Sequence, residues 1–306
     1  MISVIIPFHN EEKNIPVLVK ELSVVLQGLK REFEIVLVDD GSNDSSISNL
    51  KSQISNLNLK SENLKIIKHR KRFGKGEALK TGIDNSSGTV IIFMDGDLQD
   101  DPNDLNKFLK KIDKGYDFVN GVRKERKDSL LIKFYSKTAG FLLKKLLRSP
   151  FTDINCGLKA FKRQVVNNFT FYGNNFRFFP LAVYYQGYKV TEVPVNNRPR
   201  IHGQTKFGSG KLFVGLFDTL TAYFLYRFSE KPLHFFGTIG GILFLAGFII
   251  DLYLAYERIF FNVLLYRRPL LWLGILMIII GIQIVMTGII GELIVYLNKK
   301  SDKPSS

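Results

Sequence analysis

The stretch Asp95-Gly96-Asp97-Leu98-Gln99 sets two carboxylates one residue apart, with a side-chain amide two positions on, directly after the apolar run Thr89 to Met94. Hard oxygen donors at that spacing suit Mg2+ or Mn2+, an ion that keeps several waters and takes further ligands from a diphosphate. A buried strand that ends in carboxylates delivers them to the C-terminal edge of an open α/β sheet, where such sheets bind ligands. An isolated Asp-X-Asp also reads as a solvated acidic turn, so the rest of the chain has to decide. Cys156, the single cysteine, has no His or acidic partner placed beside it by any motif and reads as a small buried residue.

Positioning the carboxylates takes a sheet. Ser3 to Ile6 reads as a strand ended by Pro7, and the polar loop Phe8 to Asn14 opens a helix from about Ile15 to Leu29. Glu34 to Val38 is a second strand, ending in the turn Asp39-Asp40-Gly41-Ser42-Asn43-Asp44. Ser45 to Leu59 is helical at least in part, and Leu64 to Lys68 is a third strand. Gly74-Lys75-Gly76 begins a helix through about Ile83, and Thr89 to Met94 is the fourth strand. Strands alternating with helices give an α/β fold with a mainly parallel sheet. The G-x-G-x-x-G fingerprint is absent after the first strand and no G-x-x-x-x-G-K-[ST] loop occurs. Phosphates must then be held another way, and a metal at Asp95 and Asp97 would do it.

The 306 residues carry a net charge of +15 with a pI near 9.7, which suits a polyanionic partner: nucleic acid, anionic lipid or a phosphorylated substrate. The lone cysteine rules out an intrachain disulfide and fits a cytosol-facing part. The N-terminus lacks the basic region, sustained apolar core and cleavage site of a signal peptide. Between Arg123 and Lys145, eight Lys/Arg stand against two acidic residues. That segment reads either as a solvated helix face or as a basic surface for anionic headgroups or a phosphate. Lys211 to Arg227, rich in Phe, Tyr and Leu, suits helices lying in a membrane interface, or else a buried helix.

Leu233 to Leu254 and Leu270 to Leu297 are each long and apolar enough to cross a bilayer, which takes about 20 residues. Two crossings return the C-terminus to the side of the N-terminal domain, with Lys299, Lys300 and Lys303 in the cytoplasm, although Arg258, Arg267 and Arg268 in the connecting loop weaken that argument. Asp251 and Glu292 lie close to the helix ends and read as interfacial, with an intramembrane function as the alternative.

Taken in order, Pro7-Phe8-His9-Asn10-Glu11-Glu12, Val38 to Asp44, Gly74 to Leu79, Met94 to Gln99, Thr152 to Phe161 and Arg200-Ile201-His202-Gly203-Gln204-Thr205-Lys206 resemble the motifs of family 2 glycosyltransferases. With the hairpin, the chain is similar to the polyprenyl-phosphate branch, which holds dolichyl-phosphate mannosyltransferases and bacterial undecaprenyl-phosphate glucosyl- and aminoarabinosyltransferases. His9 departs from the usual Tyr and Thr205 from the commoner Ser, and the Q-x-x-R-W motif of processive polysaccharide synthases is missing.

The resemblance implies a GT-A-like domain over residues 1–207, interfacial helices over 208–232, a hairpin over 233–298 with spans about 233–254 and 270–297, and a cytosolic tail over 299–306. It implies transfer of one sugar, with inversion, from a nucleotide-sugar donor to polyprenyl phosphate at the cytosolic membrane face, UDP-glucose being the first guess for the donor. Pro7, His9, Glu11, Asp39 and Asp40 would hold the base and ribose, and Lys75 would approach the diphosphate. Asp95, Asp97 and Gln99 would hold Mg2+ or Mn2+. Asp153 would be the catalytic or orienting carboxylate, and Arg123, Lys133, Ser136 and Arg200 would hold the acceptor phosphate. The site of action would be the bacterial inner membrane, with both termini cytoplasmic, no nucleic-acid partner and room for a homo-oligomer. Rival readings are a membrane glycosyltransferase with another lipid or polysaccharide acceptor, and a non-enzymatic basic protein that binds membrane or nucleic acid.

Overall fold

A computed structural model describes residues 1–46, 63–123, 149–199 other than 168, 172 and 174, then 221, 224, 228, 231–265 and 268–301. The expected helix over Ser45 to Leu59 lies almost wholly outside these residues, as do the basic segment after Arg123, nearly all of Lys211 to Arg227, and Lys133, Ser136 and Arg200. The chain divides into two compact units, Met1–Thr219 and Leu220–Ser306.

Unit one is a seven-stranded sheet. Its strands are β1 (Ile2–Phe8), β2 (Phe33–Asp39), β3 (Leu64–Lys68), β4 (Val90–Phe93), β5 (Phe118–Arg123), β6 (Lys159–Lys162) and β7 (Val190–Val195), in the order β3-β2-β1-β4-β6-β5-β7. Every pairing is parallel except those of β6, which runs against both β4 and β5. The helices are α1 (Ile15–Gly28), α2 (Lys75–Asp84), α3 (Leu105–Asp113) and α4 (Phe179–Tyr185) among the described residues.

Helices cover both faces, so the inner strands read as continuous apolar runs, and all seven residues of β1 and of β2 are buried. Val4, Ile6, Ile35 and Leu37 share one core with Leu18, Leu22 and Leu26 of α1 and Phe108, Leu109 and Ile112 of α3. The opposite face meets α2, where Gly82 lies against Ile5 and Val38. Farther along that face Phe93, Phe118 and Phe161 surround Phe179 of α4, with ring centroids 5.1 to 6.1 Å from it. Each such ring contributes on the order of 2–3 kcal/mol by leaving water.

The end of the sheet away from the strands' C-terminal edge is pinned by one buried carboxylate. Glu34 accepts from Ser3 Oγ at 2.6 Å and from the Ser87 amide, and pairs with Lys65 at 2.8 Å. Ser3 Oγ in turn accepts from the Gly88 amide at 2.8 Å, so β1, β2, β3 and the turn before β4 are tied together.

Unit two is a pair of long helices, α5 (Pro232–Phe261) and α6 (Pro269–Ser301). Their most apolar 18-residue windows have mean hydropathies of 2.0 and 2.6, and both helices are long and apolar enough to cross a membrane. Gly240 meets Gly281 and Gly247 meets Gly274, so the helix backbones touch, as small residues allow in lipid. Glu292 caps the start of α5 by accepting from the Leu233 amide at 3.3 Å, and Glu257 pairs with Arg268 where the chain turns back.

Burial works to raise the Glu34 carboxyl, but Lys65 and the bonds from Ser3 and Ser87 outweigh it and hold the group below its ordinary 4.5. A depressed carboxyl stabilises the fold above its unfolded value, and that stability is lost as pH falls through the folded value. Glu34→Gln is therefore expected to cost about 1–3 kcal/mol at pH 7, with the deficit shrinking below pH 4.5. Unfolding of the detergent-solubilised chain at neutral and acid pH measures this, and a deficit that stays constant would contradict it.

Candidate active site

In the order β2-β1-β4 the connection after β1 runs to one side of the sheet and that after β4 to the other, and ligand crevices form outside the strand ends at such a reversal. β1 ends at Phe8, β2 at Asp39 and β4 at Phe93, so His9, Asp40 and Asp95 emerge from the same edge. The loops after β1 and β2 are laced together: Asn10 accepts from the Asn43 amide at 3.0 Å, and Ser42 Oγ from the Asn10 amide at 2.9 Å.

Asp39 and Asp40 do different work. The Asp40 carboxylate accepts from the Phe73 and Gly74 amides at 2.8 and 2.9 Å and meets His69 Nδ1 at 3.1 Å. It thus holds the loop from which Lys75 opens α2, while His9 Nδ1 donates to its carbonyl at 2.9 Å. Asp39 spends one oxygen on the Ser42 amide at 2.7 Å. Its other oxygen is buried without a hydrogen-bond partner among the described residues, 3.9 Å from the Lys68 ammonium, and can accept an N–H from a ligand. Pro7 is buried within β1, paired in register with Val38, and Glu11 accepts from Asn14 Nδ2.

After β4, Leu98 has the left-handed φ of 62°, which costs a leucine roughly 1–2 kcal/mol. Its side chain is nevertheless in the core, 2% exposed, so the core fixes a turn in which Gln99 N donates to Asp97 Oδ1 at 3.2 Å. Asp100 is buried and accepts from the Asp95 amide at 3.3 Å, while Asp101 caps the next turn by accepting from the Asn103 amide. Arg198 closes this segment from outside, paired with Glu21 and with Asp101 at 2.6 and 2.9 Å.

Charge governs this turn. Burial, then repulsion from Asp95 and Asp97, pushes the Asp100 carboxyl up to about 7. Burial also works to raise Asp95, but Lys75, with Lys159 and Arg123 behind it, outweighs that and holds it below its ordinary value. The Lys75 ammonium bonds Asp95 Oδ1 directly and lies 5.2 Å from the centre of the Phe176 ring. Crowded hard oxygens with a cation already drawn to them are a donor set that fits Mg2+ or Mn2+. Among the described residues no group of three or more His, Cys, Asp or Glu could hold a metal ion, so such an ion would draw on Gln99, water or a substrate phosphate as well.

Asp153 and Arg123 are brought into a two-pronged ion pair, Nε to Oδ2 at 2.7 Å and Nη2 to Oδ1 at 2.9 Å. Burial opposes the Arg123 charge but Asp153 outweighs it, so its pKa is raised. Residues that the sequence did not single out hold the pair. Glu192 of β7 accepts from the Thr152 amide at 2.8 Å and Thr152 Oγ1 at 2.7 Å, and Asn120 of β5 donates to the Asp153 carbonyl at 2.8 Å. A carboxylate within the apolar alternation of Val190 to Val195 was the available signal. Lys159, 6% exposed, was another, placed as it is between Leu158 and Ala160. Burial lowers its pKa. Cys156 is 1% exposed, with its thiol pushed up to about 12 by burial and then by Asp100, so it is no nucleophile at neutral pH.

A crevice at the reversal of a mainly parallel sheet, edged by carboxylates, has the form of the GT-A glycosyltransferase fold. The chain belongs to glycosyl transferase family 2, whose description its residues 3–170 match. It is 30% identical over 297 residues to dodecaprenyl-phosphate galacturonate synthase of Rhizobium johnstonii, covering 96% of this chain and 87% of that one. It is likewise 30% identical over 294 residues to undecaprenyl-phosphate 4-deoxy-4-formamido-L-arabinose transferase of Pectobacterium atrosepticum, covering 96% and 88%. Its fold is that of glucosyl-3-phosphoglycerate synthase from Mycobacterium tuberculosis. The complex of that enzyme with Mn2+, UDP-glucose and phosphoglyceric acid gives a TM-score of 0.56 at 19% identity, over 73% of this chain and 79% of that one. The complex with Mg2+ and UDP gives 0.56 at 18%, over 73% and 79%.

Gly157 joins the two halves of the site. A Cβ there would lie 2.6 Å from Asp95 Oδ2 and 3.0 Å from Asp100 Oδ2, so the Asp153 to Lys159 segment closes on the acidic turn only because this residue has no side chain. Gly157→Ala is expected to lower glycosyl transfer by about a hundredfold, the usual effect of a 1 Å misplacement, with little change in melting temperature. Transfer at the wild-type rate would contradict the contact's importance.

Proposed function

We propose that this family 2 glycosyltransferase moves one sugar from a UDP-sugar to polyprenyl phosphate, with inversion, at the cytosolic face of a bacterial inner membrane. The observation that carries this reading is the pairing of two sites through Gly157: an acidic turn with Lys75 on one side and the Arg123–Asp153 pair on the other. The lipid acceptor is supported by the names of both curated relatives and by two helices able to cross a membrane. Those relatives are named for different sugars, so they do not choose the donor sugar; UDP-glucose is the donor suggested by the sequence and serves as the neutral reference.

Asp39, with its open buried oxygen, is suited to accept from the base, and Pro7, His9 and Glu11 are assigned to the same pocket from the sequence. Asp95, Asp97 and Gln99 would hold Mg2+ or Mn2+. That ion, when bound, offsets the negative charge that grows on the departing nucleoside diphosphate. Lys75, released from Asp95, can turn to the same phosphates.

The attacking group is an oxygen of the lipid phosphate, whose second pKa is about 6 and which is largely a dianion at neutral pH. Its bond to the anomeric carbon forms as the bond to the diphosphate breaks, and the electron pair leaves with the nucleoside diphosphate. Such a nucleophile has no need to lose a proton, so Asp153 acts by orienting Arg123 rather than as a base. Arg123 spends Nε and Nη2 on Asp153 and keeps Nη1 for the acceptor. Lys133, Ser136 and Arg200 are assigned to the same phosphate from the sequence.

Purified full-length protein with polyprenyl phosphate, Mn2+ and sugar-labelled donors is expected to move label into the lipid phase; no labelled lipid with any donor defeats the reading. Asp153→Asn is expected to lower kcat by about 10²–10³ without altering the shape of the pH profile. Loss of one limb of that profile would instead make Asp153 a general base.

A further inference from the structure

The face that α6 turns to α5 recurs at every seventh residue: Gly274, Gly281 and Gly288 lie against Gly247, Gly240 and Phe236. About half a turn round the helix from Gly281 stands Gln283, which is exposed, as is Thr287 one turn on. Leu276, Ile280, Ile290 and Ile294 on the same side are exposed too. These six follow the alternating four- and three-residue spacing of a helix-pairing seam. An apolar face needs no partner in lipid, so it is Gln283 that sets this one apart. Apart from the Trp272 indole, Gln283 and Thr287 carry the only hydrogen-bonding side chains between Leu270 and Gly291.

Gln283 stands in the middle of the apolar segment Pro269–Asn298, about 20 Å of helix from either end. In a hydrocarbon layer about 30 Å thick that is the centre. Its side-chain amide makes no hydrogen bond among the described residues; Thr287 Oγ1 donates at 2.9 Å to its backbone carbonyl instead. With no water at that depth, an open amide is costly.

We propose that this face of α6 docks on the same face of a second copy of this chain, with the Gln283 amides of the two copies hydrogen-bonded to each other. This rests on the reading of the hairpin as membrane-spanning. All copies then cross in the same sense, so their Gln283 side chains lie at one depth and α6 meets α6 in parallel. An amide carries both donor and acceptor, so two identical ones answer each other about a two-fold axis along the membrane normal. A different membrane protein would need a polar group at that depth and on that face, whereas a second copy has one by construction. Hydrogen bonds of this kind associate helices in lipid, where apolar faces alone gain little.

The full-length chain with a fluorescent tag, reconstituted in phospholipid vesicles over a range of dilutions, gives the association constant by energy transfer between copies. Wild type is expected to associate, and Gln283→Leu, which keeps the span apolar, to lower the constant about tenfold. In a Cys156→Ser background, oxidation in the membrane is expected to cross-link Gln283→Cys between copies but not Ile282→Cys, about 100° round the helix. Monomers at every dilution, association of Gln283→Leu equal to wild type, or equal cross-linking at both positions overturns the proposal. In the first case the amide face belongs to a different partner. A chain that alkaline carbonate strips from membranes defeats the spanning reading itself, whereas one that stays in the membrane as a monomer defeats only this contact.

Discussion

Three carboxylates, Asp95, Asp97 and Asp100, crowd the turn after β4, and the requirement for positive charge beside them organises the rest of the crevice. Burial and the repulsion of Asp95 and Asp97 drive the Asp100 carboxyl up to about 7, while Lys75 holds Asp95 down. Lys75 can do so because Asp40 fixes the loop that leads into α2. Gly157 brings Asp153, Arg123 and Lys159 to the other side of the same carboxylates. The proposed Mg2+ or Mn2+ would enter this site together with the donor's diphosphate, the ion offsetting the charge of both.

The sheet supplies the rigidity that such tuning needs. Parallel β1, β2 and β4, buried on both faces, send three loops to one edge, and reversed β6 carries Lys159 in beside them. Leu98 shows the coupling most directly, since a buried side chain holds a left-handed backbone in the middle of the acidic turn.

The strands that are continuous apolar runs were legible in the sequence, and β3 has the expected ends, Leu64 and Lys68. The hairpin was legible too, although both helices run past the apolar stretch, α5 to Phe261 and α6 to Ser301, because polar flanks do not stop a helix whose hydrogen bonds are internal. β5, β6 and β7 escaped notice: β5 contains Asn120 and Gly121, β6 has lysine at both ends, and β7 carries Pro194. Their strand character comes from tertiary pairing, which overrides local preference. The acidic motifs announced themselves by type and spacing. The partners that hold them, Glu192, Asn120 and Lys159, are distant in sequence and single in type, so only the folded chain brings them to Asp153 and Asp95.

The central claim is that Asp95 and Asp97 take up a divalent cation together with the donor's diphosphate. Mn2+ paramagnetic resonance on the full-length chain, titrated with and without UDP, tests it most directly. Uptake of Mn2+ that depends on UDP, and that disappears in both Asp95→Asn and Asp97→Asn, is the predicted result. Absence of bound Mn2+ with UDP present, or unchanged uptake in those two variants, would contradict it.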